Sequence, residues 1–267
     1  MDRLSATEQI GSLSLDVAEN GVATVVFDRP PVNAMSLSVY LDLGRLVDRV
    51  QAGTDIRVVV LTAPADARAW CGGADLNDFV GIDPAGRKER YDFINAQLPR
   101  FYGLERPVIA AINAHAVGIG VILAGLCDMR ITADDALFSC PEIDYGLVAG
   151  GAGLFAHLNM PDAKVREMLF TGARFTANDL GGTGFFNYVV PRKLVLPRAI
   201  ELADVIAAKS LPALRARKVA SSRLEGLSWK DAYLDAQSHS ARLTEGNDGA
   251  EGVNAFLEGR TPTYRDR

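Results

Sequence analysis

The chain has 267 residues, 48% hydrophobic, 23% charged and 7% aromatic. That is the composition of a core-forming protein of one or two domains, and it excludes disordered, collagen-like and low-complexity architectures. Its 28 Lys and Arg against 33 Asp and Glu leave a net charge of −5, which argues against a nucleic-acid binder with its basic face.

The N-terminal MDRLSATEQI has no apolar run of the signal-peptide kind. Leu13–Val17 and Val22–Phe27 alternate apolar and polar residues around Asn20-Gly21, which predicts a β-hairpin. Ser36 then opens a helical pattern through Val50 that should stop near Gly53. Arg57–Thr62 and Pro107–Asn113 are continuous apolar runs of the kind found in strands buried on both faces. A second helical stretch, around Arg87–Leu104, lies between them. Val108–Cys127 has no formal charge over a membrane-span length. Its three glycines, Asn113 and His115, and the lack of flanking Lys/Arg clusters, favour a buried strand running into a buried helix over Gly118–Gly125. Met129–Thr132 and Ala136–Ser139 read as strands, Lys164–Thr171 and Ala177–Gly181 as helices, and Asn187–Val190 as a late strand.

From Arg192 on, only amphipathic helix candidates appear: Lys193–Lys209, Pro212–Glu225, Trp229–Thr244 and Gly249–Glu258. Alternating strands and helices followed by a helical tail predict a largely parallel α/β core over residues 1–191 and a helical region over 192–267. No repeat of fixed period is visible. Cys71, Cys127 and Cys140 form no CxxC pair and read as reduced thiols of a cytoplasmic protein.

GxGxxG, GxxxxGK[ST], GxSxG and HExxH are all absent, and no Cys/His cluster predicts a metal site. His115, His157 and His239 stand far apart and read as structural. Glycine is in excess at 25 residues, twelve of them between Gly72 and Gly153. Two glycine-bearing segments follow the buried strands: AWCGGADL (69–76) and AHAVGIG (114–120). They are either two tight turns or a place where backbone amides approach a ligand closely. The second opens a helix, whose N-terminal end favours a developing negative charge.

RPPVNAM (29–35), AWCGGADL, RPVIAAINAHAVGIGVILAGLCDMRI (106–131) and ALFSCPEIDYGLVAGGAG (136–153) together resemble the crotonase, or enoyl-CoA hydratase/isomerase, superfamily. TGARFTANDL and the C-terminal EGVNAFLEGRTP extend the resemblance from about residue 12 to 265. It implies a spiral of repeated ββα units with a helical C-terminal region that drives assembly into trimers or stacked hexamers. It also implies an acyl-CoA thioester as substrate, coenzyme A being part of that substrate and no further cofactor being needed. The resemblance assigns Ala74 and Ile119 N–H as the two donors of an oxyanion hole, and Gly72, Leu76 and Val32 as contacts to CoA. Asp75 reads instead as a cap of the following turn, and Asp144 as a surface residue.

Hydratases of this family use two glutamates. Here Glu142, in Pro141-Glu142, occupies the second position, and Ile122 stands at the first. Hydration needs groups that position water and deliver a proton, and Ile122 removes half of that apparatus. One carboxylate with an oxyanion hole resembles the Δ3,Δ2-enoyl-CoA isomerases. The expectation is therefore an isomerase, with enoyl-CoA hydration or a related lyase or hydrolase step, or a silent acyl-CoA binder, as alternatives. Glu142 beside Ile122 should have its pKa raised by desolvation. Asn77 and Gly259 stand where many members carry CoA-phosphate lysines, which leaves Arg260 and nearby arginines to replace them.

Overall fold

The computed structural model describes residues 7–149, 160–224 and 246–266, with positions 231 and 242. Strand β1 (Glu8–Ile10) pairs antiparallel with β2 (Leu13–Val17), which returns through the Asn20-Gly21 turn as β3 (Val22–Phe27). The expected hairpin is present, with Leu13 opposite Phe27. β1 escaped notice because three residues carry no pattern.

After the hairpin the chain winds. β4 (Val58–Thr62), β6 (Val108–Ile112) and β8 (Met129–Ala133) each enter one sheet, and each is followed by a short strand of a second sheet: β5 (Ala69–Cys71), β7 (His115–Val117) and β9 (Leu137–Ser139). The first sheet has seven strands in the order β1-β2-β3-β4-β6-β8-β11, closed by β11 (Tyr188–Val190), and is parallel from β3 onward. The second has four, β10-β9-β7-β5, with β10 (Phe175–Thr176) antiparallel at its edge. Three successive strand pairs thus make three turns of a ββα spiral. Every residue of β4 and β6 is buried, as a parallel sheet covered on both faces requires.

Helix α1 (Leu37–Ala52) follows Ser36, ends at Gly53 and buries Val39, Tyr40, Leu43, Leu46, Val47 and Val50 on one face. Helix α2 (Pro84–Tyr102) starts with Pro84 after Asp83, whose carboxylate accepts the Gly86 N–H, and packs against α1. Helix α3 (Ile119–Leu126) is buried from Gly120 to Leu126. The uncharged run 108–127 is therefore two strands and a short helix, and no helix among the described residues is long and apolar enough to cross a membrane.

Helices α4 (Asp162–Thr171) and α5 (Ala177–Gly181) precede β11; Thr176 and Asp179 form a capping box at α5. The helix expected over 193–209 divides into a 3₁₀ turn (Arg192–Leu194) and α6 (Val195–Ala207). α6 packs on β3, β4, β6 and β8, so the helical region begins as a cover of the large sheet. Helix α7 (Leu211–Leu224) is tied to the same sheet: Lys218 Nζ donates to both carboxylate oxygens of Asp128 at 2.6 and 2.7 Å, and Asp128 accepts the Val108 N–H at 2.7 Å. The expected helix 229–244 lies outside the described residues apart from positions 231 and 242, and α8 (Asn247–Glu258) ends the helical series.

Candidate active site

The three parallel strands of the small sheet run in one direction, and each is followed within a few residues by one candidate group. Ala74 follows β5, Ile119 follows β7 and Glu142 follows β9. The segments were expected to sit directly on the ends of the two buried strands, but each first passes through one of these short strands. β7 is the middle strand, so Ile119 comes from the strand between those that deliver Ala74 and Glu142. This is the carboxyl end of a parallel sheet, where α/β proteins assemble ligand sites.

Local bonding leaves two amides over. Met35 N–H donates to Gly73 O at 2.8 Å and Asp75 N–H to Met35 O at 3.0 Å, so the N–H of Ala74 points to the other side of its strand. Ile119 is the first residue of α3, where N–H groups have no intrahelical partner. Neither N–H donates to another described residue, and both residues line one cavity. The two segments approach closely at Gly120, where a Cβ would stand 2.5 Å from the Cys71 carbonyl. Two such donors in a dry site can stabilise an oxyanion.

Glu142 lines the same cavity. It lies in a 3₁₀ turn (Pro141–Tyr145), with its backbone carbonyl held by the Leu147 N–H at 2.9 Å. A Cβ at residue 118 would stand 2.5 Å from Glu142 Oε1, so the carboxylate rests over a backbone that only glycine permits there. Oε2 is buried without a hydrogen-bond partner. Burial raises its pKa above the ordinary carboxylate value, opposed by a smaller pull from its own backbone. Ile122 is buried in the wall, and Glu142 is the one carboxylate among the described residues that line the cavity.

The cavity encloses about 470 Å³. Its wall is otherwise mostly apolar and aromatic, with Leu76 and Phe79 from the 3₁₀ turn Leu76–Phe79, Tyr40 from α1, Ile94, Leu98 and Tyr102 from α2, and Leu126 from α3; Asn95 adds an amide. Arg90 also lines it, and the sequence reading passed over that residue. The available signal was its position four residues before Ile94 and eleven before Phe101, on the buried stripe of α2.

The sequence-assigned CoA contacts divide. Gly72 and Leu76 line the cavity. Val32 does not; it lies beside Gly72, whose N–H donates to Val32 O at 2.8 Å. Asp75 accepts the Asn77 N–H at 3.1 Å, as the expected cap, and also receives Arg29 at 2.7 Å. That arginine holds its carboxyl below the usual range. The pair clamps the RPPVNAM turn beside Ala74. Arg260 is engaged by Glu251 and Glu258 at 2.6 and 2.5 Å, which commits it locally. His115 Nδ1 accepts the Leu137 N–H at 3.1 Å, and burial and the charge of Arg192 lower its pKa, so it is a neutral structural imidazole. His157 and His239 lie outside the described residues. Cys71, Cys127 and Cys140 are free and buried, and no group of three His, Cys, Asp or Glu among the described residues is placed to hold a metal.

Similarity to known proteins identifies the family. A carnitinyl-CoA dehydratase of Proteus mirabilis (strain HI4320) is 34% identical over 263 residues, covering 96% of this chain and all of that protein. A 2,3-dehydroadipyl-CoA hydratase of Escherichia coli (strain K12) is 29% identical over 252 residues, covering 92% of this chain and 96% of that one. The crystal structure of an enoyl-CoA hydratase from Bacillus anthracis superposes with a TM-score of 0.89 at 29% identity, covering 96% of this chain and 100% of the other. The family model for enoyl-CoA hydratase/isomerase matches residues 17–267. The chain belongs to the enoyl-CoA hydratase/isomerase family, the crotonase superfamily of acyl-CoA-processing enzymes.

Proposed function

We propose that this enzyme is a Δ3,Δ2-enoyl-CoA isomerase with Glu142 as its single proton carrier. The observation that carries the reading is one desolvated carboxylate facing a cavity whose second catalytic position is Ile122. The thioester oxygen sits between the N–H groups of Ala74 and Ile119. The Glu142 carboxylate takes a proton from C2, and the electron pair moves into a dienolate whose negative oxygen the two amides hold. The same carboxyl returns the proton at C4, leaving the double bond between C2 and C3. No water enters the balance, so an apolar neighbour at 122 protects the intermediate. A raised pKa brings the carboxyl closer to the carbon acid it must deprotonate. Gly72 and Leu76 contact the CoA portion, with Val32 supporting Gly72 from behind. The same reading includes assembly as a homotrimer or a pair of stacked trimers, which light scattering in solution measures.

The names of the relatives favour a second reading, hydration or dehydration of an enoyl-CoA. It requires a water-positioning group besides Glu142. Wild type and Glu142→Gln assayed with 3-enoyl-CoA and 2-enoyl-CoA esters separate the two. Isomerisation lost in the variant supports the isomerase, and hydration of the 2-enoyl ester by wild type overturns it in favour of the second reading. Tight ester binding without turnover of either substrate overturns both and leaves an acyl-CoA binder.

A further inference from the structure

Arg90 is a cation placed where apolar side chains belong. It stands on the inward stripe of α2 with Ile94 and Phe101 and is 4% exposed. It and Glu142 are the charged residues among those described that line the cavity. Its guanidinium lies over the Phe79 ring at 4.2 Å. Nη2 reaches Asp78 Oδ2 at a long 3.4 Å, while that same oxygen accepts the Leu37 N–H at 3.1 Å. Nε is buried with no hydrogen-bond partner. A permanently charged fork thus has one long hydrogen bond to a described group and one buried donor without a partner, and buried donors are costly to leave unmade. None of the described residues lining the cavity accepts from Nε.

We propose that Arg90 receives a carboxylate carried at the end of the acyl group remote from the thioester, so that the preferred substrates are CoA monothioesters of dicarboxylic acids. The inference rests on the acyl-CoA reading of the cavity given above. A terminal carboxylate on an alkyl chain can cross an apolar cavity and meet the planar fork with two parallel hydrogen bonds. The phosphates of CoA fit this position poorly, because they keep their hydration and Arg90 is enclosed by Tyr40, Phe79 and Ile94. A trimethylammonium-ended acyl group would meet a buried like charge there and be repelled.

The test compares unreactive esters on the wild-type protein by calorimetry: adipyl-CoA, hexanoyl-CoA and free CoA. Adipyl-CoA is expected to bind about tenfold or more tightly than hexanoyl-CoA, as a desolvated charge-assisted pair provides. Equal or weaker binding of adipyl-CoA overturns the proposal. If neither ester binds better than free CoA, the acyl-CoA reading of the cavity itself fails, and this proposal with it. The double substitution Arg90→Met with Asp78→Asn removes the cation without leaving Asp78 bare, and a thermal melt establishes that it folds. The adipyl/hexanoyl preference is expected to disappear in it. Were Arg90 only a brace between α2 and the Leu76–Phe79 turn, both esters would weaken together with their ratio unchanged. Were it a phosphate contact, free CoA would weaken as well. Either result overturns the proposal, and the wild-type comparison stands whether or not the variant folds.

Discussion

Glu142 carries a raised pKa because burial penalises its charge, and this has opposite consequences for turnover and for stability. As the proton acceptor of the proposed reaction it must start ionised. Isomerase activity should therefore rise with pH through a midpoint above that of an ordinary glutamate, and Glu142→Gln should lower kcat by roughly 10²–10⁴-fold, checked by a pH–rate profile. A carboxyl whose folded pKa is raised supports the fold while protonated and withdraws that support as pH rises through the folded value. Glu142→Gln should thus melt above wild type at neutral pH, with the gap closing toward about pH 4 in scanning calorimetry. Gly118 is the backbone counterpart. At φ +54° and ψ −119°, with a Cβ position 2.5 Å from Glu142 Oε1, Gly118→Ala should cost about 1–3 kcal/mol in urea unfolding. The same change displaces both the carboxylate and the Ile119 amide, so kcat should fall in parallel. The glutamate could be singled out because Pro141-Glu142 lies in a segment that resembles the family's motif; by itself it reads as a solvated loop residue. Arg90 is obscured, because an arginine among Lys88, Glu89 and Tyr91 looks like part of a solvent face, and its spacing to Ile94 and Phe101 gains meaning only from the packing of α2 on α1.

The short elements carry more of the site than the long ones. Helices α1 and α2 and strands β4 and β6 announce themselves by periodicity or by continuous apolar runs, and all were expected. β5 and β7 span three residues each, too few for any pattern, yet they aim Ala74 and Ile119. Helix α3 is held at its far end by Arg130, at the start of β8. That guanidinium donates to Cys127 O at 2.6 Å, Ala124 O at 3.4 Å and Phe185 O at 2.5 Å. Its backbone N–H donates to Asn187 Oδ1 at 2.8 Å, and its carbonyl accepts the Asn187 N–H at 2.8 Å. One side chain thus joins the C-terminal carbonyls of α3 to the segment leading into β11, with its charge where the helix dipole favours it. Arg130→Met takes this shared donor away from the Cys127 and Phe185 carbonyls and should cost about 2–4 kcal/mol in urea unfolding. Arg130→Lys, with a single ammonium in place of the fork, should recover only part of that.

The spiral explains why no fixed period appears in a chain that is structurally repetitive. Its large-sheet strands begin at Val58, Val108 and Met129, and the first interval is longer because α2 and its preceding turn are inserted there. The resemblance supplied the architecture that periodicity could not. Around the windings, the helical region is attached through buried charge as well as apolar contact. The Lys218 side chain is 4% exposed where it meets Asp128. Lys218→Met should cost about 1–3 kcal/mol and speed amide exchange in α7 while the sheet stays protected, read by hydrogen exchange mass spectrometry. The insertion has a further consequence. The three groups of the proposed reaction follow the ends of strands, one per winding, whereas Arg90 and one flank of the apolar wall ride on the spliced-in stretch from Leu76 to Tyr102. In the proposed reading the cation that would select the acyl group and the carboxylate that would carry the proton sit on separate lengths of chain. Grafting the counterpart of the spliced-in stretch from a relative should therefore shift the acyl preference while leaving Ala74, Ile119 and Glu142 in place.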